Sequence, residues 1–396
     1  AWNSVAYGQG KFIACGDRSR VGNSANKMMS SINGIDWTSI AGTSSYGELN
    51  IMSIAYHDNL WVAVCEDTST HNLLTSSNGL NWTVRNTLGN GGMSDVAYGN
   101  GYWLVCDKNS NFKFTTDVTG SWAVGNSAMT GTRSAAYGDH VSRWVAVGNK
   151  GIQYSNNLVS WTTASTGGMD TQTQFRSVTY GNNRFVAVVY DIPGAGQTTA
   201  PRIAYSDDGI TWSTTSDYPT YGKTVSYMAV EYANGMFVAA GESGGDSTNK
   251  TLYSFNGINW FTSTTEPAGV KSASWRGLAY GGGLWVGVSN FPNANKAMHS
   301  FTAGAELPQL TFADNKDLAL FQSGDAVDQS DSAAEGTVSG TDPAAKTMTL
   351  SSSTGTWANG QTVIGPQRLL TSGEITNVGS IDGAWTGASV DTYAWT

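Results

Sequence analysis

The segment Tyr205-Ser206-Asp207-Asp208-Gly209-Ile210-Thr211-Trp212 combines a turn signal with a tryptophan. An Asp or Asn side chain in such a turn accepts hydrogen bonds from the backbone of the same turn, and Gly209 supplies a conformation that other residues avoid. Related segments end at five further tryptophans: Trp37, Trp82, Trp122, Trp161 and Trp260. We therefore predict six copies of one hairpin turn, each closed by a tryptophan that packs between neighbouring sheets.

A second repeat, Ser/Gly-x-Ala-Tyr-Gly in its clearest form, occurs seven times at intervals of 39 to 52 residues. Its tyrosines are Tyr7, Tyr56, Tyr98, Tyr137, Tyr180, Tyr232 and Tyr280. A Gly/Asn turn and an apolar run such as Trp144-Val145-Ala146-Val147 follow, which is typical of a β-hairpin. Four strands in each of seven units predict an all-β fold, a seven-bladed β-propeller of four-stranded antiparallel blades over residues 1–312.

The turn sequence Ser-x-Asp/Asn-Gly-x-x-Trp resembles the Asp-box (BNR) repeat of β-propellers, in a form one residue shorter than the sialidase-type box. The motif is structural, so the resemblance implies a fold and not a reaction. In the seventh unit Leu307 replaces the tryptophan, and the fourth strand is predicted near Leu310-Thr311-Phe312. Closure of the ring is then expected to depend on side-chain packing between the first and seventh blades.

The composition excludes several classes of protein. Charged residues make up 13% of the chain, and 48 glycines argue against an α-rich fold, while a 40% hydrophobic share argues against disorder. The net charge of −9 and the lack of Lys/Arg clusters disfavour nucleic acid as a partner. No apolar run is long enough to insert in a membrane as a helix. The N-terminus lacks the features of a signal peptide, and the chain reads as a fragment of a longer protein.

The residues of metal and cofactor chemistry are scattered. Cys15, Cys65 and Cys106 occupy one repeated position and are expected to be buried, small hydrophobic residues. The four histidines lie outside HxxxH or Ser/His/Asp contexts. We therefore predict no metal site and no cofactor.

Residues 313–396 lose the repeat and carry most of the acidity, −7 against −2 for the first 312 residues. Short strand-like segments predict a small acidic β-rich module that connects or oligomerises. Its sequence, for example Gly355-Thr356-Trp357-Ala358-Asn359-Gly360-Gln361, resembles tail-fibre and virion modules of marine bacteriophages, cyanophages especially. The resemblance implies a phage particle, an attachment apparatus with other virion subunits as partners, and a homotrimeric fibre. The expected location is therefore the virion or the extracellular space.

The loops between the second and third strands and the links between blades vary from unit to unit, and we call the face that they share the variable face. Recognition usually resides in variable loops on a regular scaffold. Aromatic rings beside carboxylates suit sugars, which stack on rings and exchange hydrogen bonds. The ligand-binding candidates are Tyr46, Glu48, Glu66, Asp107, Tyr190, Asp191, Tyr227, Glu242 and Trp275. The alternative is that these are ordinary solvated loop residues.

We expect a phage attachment protein whose propeller binds a host surface glycan or receptor. The first alternative is a non-catalytic structural virion component, such as a capsid decoration or a fibre shaft. The second is an extracellular bacterial glycosidase or adhesin, and the sequence also resembles photosynthetic assembly factors, which bind proteins. A glycosidase is the only activity left open, with Glu66, Asp107 and Glu242 as candidate carboxylates, and we assign no catalytic residue.

Overall fold

The structure is a computed structural model, and it describes parts of the chain only. In the first 301 residues these parts are 2–16, 27–41, 49–66, 72–85, 88, 92–109, 111–126, 129, 131–167, 169, 173–190, 203–215, 225–243, 251–262, 274–289 and 297–301. Beyond them it describes 309–312, 326–329, 335–342, 347–354, 362–364, 373–378 and 392–394. Every regular element in these residues is a β-strand.

Seven four-stranded sheets follow one another along the chain as blades. Blades one to four are β1 (Trp2–Gly8), β2 (Lys11–Gly16), β3 (Met28–Ser31), β4 (Thr38–Ser39); β5 (Ile51–His57), β6 (Leu60–Cys65), β7 (Leu73–Ser76), β8 (Thr83–Arg85); β9 (Met93–Gly99), β10 (Tyr102–Asp107), β11 (Asn111–Thr115), β12 (Ala123–Asn126); β13 (Thr132–Gly138), β14 (Arg143–Gly148), β15 (Gly151–Ser155), β16 (Thr162–Thr163). Blades five and six are β17 (Gln174–Gly181), β18 (Arg184–Tyr190), β19 (Ile203–Ser206), β20 (Ser213–Thr214); β21 (Val225–Ala233), β22 (Met236–Ser243), β23 (Thr251–Ser254), β24 (Phe261–Thr262). The predicted seven-bladed, all-β propeller is confirmed.

The seventh blade differs from the prediction in its outer strand. Its first three strands are β25 (Trp275–Gly281), β26 (Leu284–Ser289) and β27 (Ala297–Phe301). The fourth is β34 (Thr392–Ala394), which pairs in parallel with β27 from Ala297 to His299. The strand expected in this place, β28 (Gln309–Phe312), instead pairs with two strands of a separate closed barrel. The sequence prediction assigned β28 to blade seven, and this was wrong. An edge strand can pair with a parallel or an antiparallel strand from any distance along the chain, so proximity in sequence does not identify the partner.

The closed barrel has six strands in the order β28, β31, β30, β29, β32, β33. Its other strands are β29 (Ala326–Gln329), β30 (Glu335–Asp342), β31 (Thr347–Thr354), β32 (Thr362–Ile364) and β33 (Gly373–Val378). Contacts divide the chain into one unit of residues 1–253, 257–300 and 386–396 and a second of residues 254–256 and 301–385. The boundary between residues 312 and 313 stays a prediction.

The hairpin turns that end at a tryptophan, which we call the Trp turns, share one hydrogen-bond pattern. In blade two the Asn78 Oδ1 accepts from the amides of Leu80 and Asn81, both at 2.9 Å. The Trp82 Nε1–H donates to the carbonyl of Gly79 at 3.0 Å. Gly79 has a φ of 74°, which places it in the left-handed region where glycine is favoured. The tryptophan is thus tied to its own turn and not only packed beside it.

Four of the other copies keep the indole bond, and blade three lacks it because Trp122 Nε1 has no hydrogen-bond partner among the described residues. The same donation to the third residue before the tryptophan occurs at Trp37, Trp161, Trp212 and Trp260. In the looser turn of blade four Leu158 stands in the glycine position with a φ of 64°, while Asn157 accepts the two turn amides. In blade three Asp117 accepts from the amide of Thr119, and Trp122 lies partly buried after it.

Each hydrophobic cluster joins two neighbouring blades. Ile13 and Cys15 of blade one pack with Trp61 and Cys65 of blade two, and every one of these four side chains is fully buried. Val5 and Phe12 of blade one pack in the same way with residues of blade seven, including Val286 and Val288. The ring therefore closes through the same kind of apolar packing that joins its other blades, as the sequence predicts.

Candidate functional site

A cavity of about 550 Å³ runs between the inner strands of the seven blades. It is lined by residues of β1, β5, β9, β13, β17, β21 and β25, each of which contributes the segment that leads to its repeated tyrosine. Because the repeat aligns these strands, residues at equal distances before the tyrosine lie at equal depths in the cavity. We number these positions by that distance.

The tyrosine end of the cavity lies on the face of the Trp turns. Gln9, in the hairpin turn after β1, donates to the carbonyl of Ser77 in the next blade's Trp turn at 2.9 Å. Several of the tyrosine rings pack where the glycine after the neighbouring tyrosine leaves space, as Tyr232 does at Gly181 and Tyr7 at Gly281. Tyr98 instead stacks on His57, which follows Tyr56. The other end of the cavity therefore opens on the variable face.

Three residues before the tyrosine, a serine or aspartate side chain links each of blades one to five to the next blade, whereas blades six and seven carry alanine and glycine there. Ser4 accepts from the amide of Ile54 at 3.4 Å, and Ser134 accepts from that of Val178 at 3.3 Å. Ser177 does the same for Val230 at 3.2 Å. This row, which we call the inner belt, satisfies backbone donors that the central cavity would otherwise leave exposed.

In blade three a carboxylate takes the place of the serine. Asp95 accepts from the Ser53 hydroxyl at 2.7 Å on one side and from the Ala135 amide at 3.1 Å on the other. Burial raises the pKa of Asp95 to about 6, and the hydrogen bond from Ser53 and those that follow oppose that rise. The inner belt thus contains one carboxyl that titrates in the mildly acidic range.

Glu231 is the second acid that lines the cavity, one residue before Tyr232 in β21. Burial raises its pKa from 4.5 to about 7, the hydrogen bond from the Tyr232 backbone lowers it, and the charge of Asp95 raises it further. In the other blades this position carries alanine or threonine. The two acids thus belong to one cavity and influence each other.

Four residues before the tyrosine, three blades carry arginine: Arg133, Arg176 and Arg276. All three line the cavity and are partly buried. Burial and the charge of Arg276 lower the pKa of Arg133, whereas Glu66 raises it. We call these three residues the arginine cluster.

Two members of the arginine cluster contact side chains at the variable-face end of their blades. The Arg133 Nε–H donates to the Oδ1 of Asn149, which lies in the loop between the second and third strands of blade four, at 3.3 Å. The Cζ of Arg176 lies 4.4 Å from the centre of the Tyr190 ring, a cation–π distance. One predicted binding residue, Tyr190, thus adjoins an arginine that the sequence prediction did not include.

Glu66 and Asp107 also lie at this end, but both are engaged. The Glu66 carboxylate accepts from Asn50 Nδ2 at 2.8 Å and forms an ion pair with Lys108. Asp107 is 2% exposed and accepts from the amide of Asn109 at 2.8 Å. Neither carboxylate is presented to the cavity as an isolated acid or base.

Two predicted binding residues lie in the core. Tyr227 is 2% exposed and packs in the cluster between blades five and six, and Trp275 is fully buried. The sequence placed both in exposed links, but they stand at the starts of inner strands, where side chains enter the packing between blades. Their expected exposure on the variable face is corrected here.

The remaining candidates lie outside the described side chains. These are Tyr46, Glu48, Asp191 and the side chain of Glu242, whose backbone pairs with Ser226 in blade six. A ligand-binding role for the predicted residues stays a prediction.

The arginine cluster has a sequence signal that spacing alone could have exposed. The three segments share the form Arg-Ser/Gly-x-x-Tyr-Gly: Arg133-Ser134-Ala135-Ala136-Tyr137-Gly138, Arg176-Ser177-Val178-Thr179-Tyr180-Gly181 and Arg276-Gly277-Leu278-Ala279-Tyr280-Gly281. The arginines lie 43 and 100 residues apart, and only the closed ring brings them to one cavity. In the part of the chain that the structure describes, no group of His, Cys, Asp and Glu has the arrangement of a metal site. Nor does any helix there meet the length and hydropathy needed to cross a membrane.

No protein-family model and no curated protein matches the sequence. Solved structures do share the fold. A structure described as YCF48 bound to D1 peptide is 14% identical, with a TM-score of 0.52 over 75% of this chain and 89% of that chain. YCF48 from Cyanidioschyzon merolae is 12% identical, with a TM-score of 0.52 over 76% and 94%.

A third similar structure is the virginiamycin B lyase of Staphylococcus aureus, 10% identical with a TM-score of 0.53 over 73% of this chain and 91% of that chain. These likenesses show the propeller fold alone. Proteins that share a fold at such identities perform unrelated tasks, so the function has to be argued from the site.

Proposed function

We propose that this protein is a non-catalytic recognition module of a phage attachment apparatus, and that its propeller binds a host surface glycan at the variable face. The observation that carries the proposal is the mouth of the central cavity. There the arginine cluster lines a concavity of about 550 Å³, and the ring of Tyr190 packs against Arg176. Small-ligand sites are commonly concave and combine an aromatic surface with a few convergent polar groups.

The two faces of the propeller differ in a way that favours recognition. The Trp turns repeat one hydrogen-bond pattern around one face, and their resemblance to Asp-boxes supports a structural role there. The loops of the opposite face differ in length and sequence from blade to blade. A scaffold that holds one face constant and varies the other is typical of binding proteins.

The engaged carboxylates favour binding over hydrolysis. A glycosidase needs two carboxyl groups roughly 5 to 10 Å apart, one of them free to exchange a proton with the substrate. Glu66 is paired with Lys108, and Asp107 is buried. These two candidate carboxylates are thus occupied by structural contacts.

The small acidic module at the C-terminal end supports the part of the proposal that concerns the phage particle. Its resemblance to marine phage virion modules suggests other virion subunits as partners, a homotrimeric assembly and a place on the particle. The closed barrel formed by β28 to β33 is a compact unit of its own by its contacts, as a connecting module requires.

The full chain, labelled and applied to an array of neutral and acidic surface glycans, tests the proposal. We expect binding to a defined subset, weakened by Tyr190→Ala and retained by Phe261→Ala, which removes an exposed aromatic ring of the outer strand β24. Absence of binding to every glycan would contradict a glycan ligand. Sugar hydrolysis by the wild-type chain would contradict the non-catalytic role.

A further inference from the structure

We propose that Asn100 and Asn234 are sites of spontaneous deamidation, which converts each neutral side chain into a carboxylate on the face of the Trp turns. The inference goes beyond the proposed function and does not depend on a glycan ligand. The sequence contains seven Asn-Gly pairs, and five of them lie among the described residues, at Asn33, Asn78, Asn100, Asn234 and Asn256. The fold separates these five pairs into two classes.

Deamidation of an asparagine needs the backbone amide nitrogen of the next residue. That nitrogen attacks the side-chain carbon Cγ, the new C–N bond closes a five-membered succinimide ring, and the side-chain nitrogen leaves as ammonia with the proton that the amide gives up. Water then adds to one of the two ring carbonyls and opens the ring, which yields aspartate or isoaspartate. A following glycine favours the attack because it has no Cβ to obstruct the approach. The reaction therefore requires an amide nitrogen that can reach Cγ.

The hairpin turns between the two inner strands of blades three and six, which we call the inner turns, present such a nitrogen. Gly99 pairs with Tyr102 and Ala233 pairs with Met236, so an Asn-Gly pair forms the whole two-residue loop in each blade. The ladder of such a hairpin uses the amides of the flanking residues and leaves out the amide of the loop glycine. Both asparagines are exposed, and a Cβ atom on either loop glycine would meet only open space.

The Trp turn of blade two holds the equivalent nitrogen in a hydrogen bond. The Gly79 amide donates to the Ser76 Oγ at 2.8 Å. The Asn78 Oδ1 accepts from the same hydroxyl at 3.2 Å and from two amides of the turn, both at 2.9 Å. Asn33 and Asn256 likewise accept from the serine hydroxyl two residues before them, at 3.0 Å and 3.2 Å. These bonds restrain the groups that a succinimide would consume.

The difference in hydrogen bonding predicts a difference in rate. A Trp turn has to break two or more hydrogen bonds before the ring can close, which slows the reaction by about tenfold or more relative to an inner turn. Each event at an inner turn adds one negative charge to a chain of net charge −9. The inner turns follow the repeated tyrosines, so the new carboxylates lie at the end of the cavity opposite the variable face.

Peptide mass spectrometry of the full chain, incubated natively in heavy-oxygen water at mildly alkaline pH, tests the proposal. The heavy oxygen marks deamidation that occurs during the incubation and not during digestion, and aspartate and isoaspartate peptides are separated by chromatography. We expect Asn100 and Asn234 to react about tenfold or more faster than Asn33, Asn78 and Asn256. In urea all five should react at similar rates, because the unfolded chain removes the restraints of the turns.

Two variants separate the contributions of the turns. Ser76→Ala removes the acceptor of the Gly79 amide and should accelerate the reaction at Asn78 severalfold, with the other Trp turns unchanged. Asn100→Gln is the matched control, because blade one already has Gln9 in this position of its inner turn, with a φ of 49°. A glutamine has to close a six-membered ring, so the label should disappear from this inner turn and persist in that of blade six.

Two results on the native wild-type chain would overturn the proposal. One is the absence of labelled product at Asn100 and Asn234 under conditions in which the urea-unfolded chain reacts. The other is a native rate at these two residues that is no faster than at the Trp turns. An unchanged rate at Asn78 in Ser76→Ala would contradict protection by the serine hydroxyl. The native comparison needs no variant, so the proposal is decided even where Ser76→Ala fails to fold.

Discussion

Asp95 occupies a position of the inner belt that carries serine in blades one, two, four and five. A hydroxyl there accepts one backbone amide of the next blade, as Ser134 does for Val178. The Asp95 carboxylate accepts both from the Ala135 amide and from Ser53, so it links three blades with one side chain. This extra link is gained by burying a charge, which explains why its pKa is raised to about 6.

Within the described residues, the Glu231 carboxylate has no side-chain hydrogen bond like the one that Ser53 donates to Asp95. Compared with Asp95, burying the charge of Glu231 therefore costs more free energy. Its folded pKa of about 7 lies above the ordinary value of 4.5, so between these values the folded protein holds a proton that the unfolded chain has lost. The free energy of unfolding should consequently fall as the pH rises through this range. Glu231→Gln should remove the part of that fall that Glu231 causes, leaving the part that Asp95 contributes below about pH 6, and make the protein more stable than wild type at pH 8 by about 1–3 kcal/mol.

Urea unfolding of both proteins at pH 5, 6, 7 and 8 measures the effect. The two stabilities should converge at the acidic end and diverge toward pH 8. Parallel pH profiles would show that Glu231 is not the group responsible.

At the scale of the element, the Trp turn depends on one acceptor. Asp208 receives the amides of Ile210 at 2.7 Å and Thr211 at 2.8 Å. Asp208→Ala leaves both donors without this acceptor and should lower the free energy of unfolding by about 1–2 kcal/mol. Asp208→Asn retains an acceptor oxygen at the Oδ1 position and should cost less than half as much.

The adjacent residue supplies the control for this prediction. Asp207→Ala removes a carboxylate of the same turn whose partner is Arg184 at the surface, so it should cost below about 1 kcal/mol. Thermal or urea unfolding compares the three variants. Equal losses at positions 207 and 208 would mean that the turn amides do not depend on Asp208.

A second element-scale prediction concerns the joint between blades seven and one. A Cβ atom at Gly281 would overlap the ring of Tyr7, and no flexible end of that side chain can yield. Gly281→Ala should destabilise the protein by about 1–3 kcal/mol. In a Tyr7→Leu background the same substitution should cost at least about 1 kcal/mol less, because the overlapping ring is gone.

Unfolding of the four proteins in this cycle gives the coupling free energy. Additive effects of the two changes would indicate that Gly281 is required for a reason other than the tyrosine ring.

The sequence predicts elements that local chemistry specifies. The Trp turn of blade two is determined within a few residues, by Asn78, Gly79 and Trp82. The turn and the strand repeat can therefore both be recognised from the sequence alone. The outer strand of blade seven was not predictable, since β34 starts 91 residues after the end of β27 and carries no copy of the repeat. The sequence prediction placed Tyr227 and Trp275 in exposed links between blades. Their position along the chain does not reveal that their side chains pack between the blades instead.

The arginine cluster was missed for a different reason. Its three arginines share a recognisable sequence pattern before the repeated tyrosine, but they line one cavity only because the blades close into a ring. At the scale of the whole molecule, closure therefore creates chemistry that no single blade contains. It also makes each blade depend on both neighbours for its core, because the clusters lie between blades and not within them.

The three buried cysteines make it possible to test whether each blade depends on its neighbours for its core. Cys15 and Cys65 share the core between blades one and two, and Cys106 lies in the core between blades three and four. All three are buried and none forms a disulfide bond, and burial raises the pKa of Cys15 and Cys106 above the ordinary thiol value. Native protein should therefore resist a thiol reagent, whose target is the exposed thiolate.

If the ring unfolds as one cooperative unit, the three thiols should become reactive at the same denaturant concentration, because opening one interblade core removes support from the next. Pulsed alkylation across a urea gradient, read by peptide mass spectrometry, resolves each cysteine separately. Coincident midpoints are expected at neutral pH. A midpoint for Cys106 well separated from the other two would show that blades one and two unfold independently of blades three and four, and would contradict a ring held together by equivalent joints.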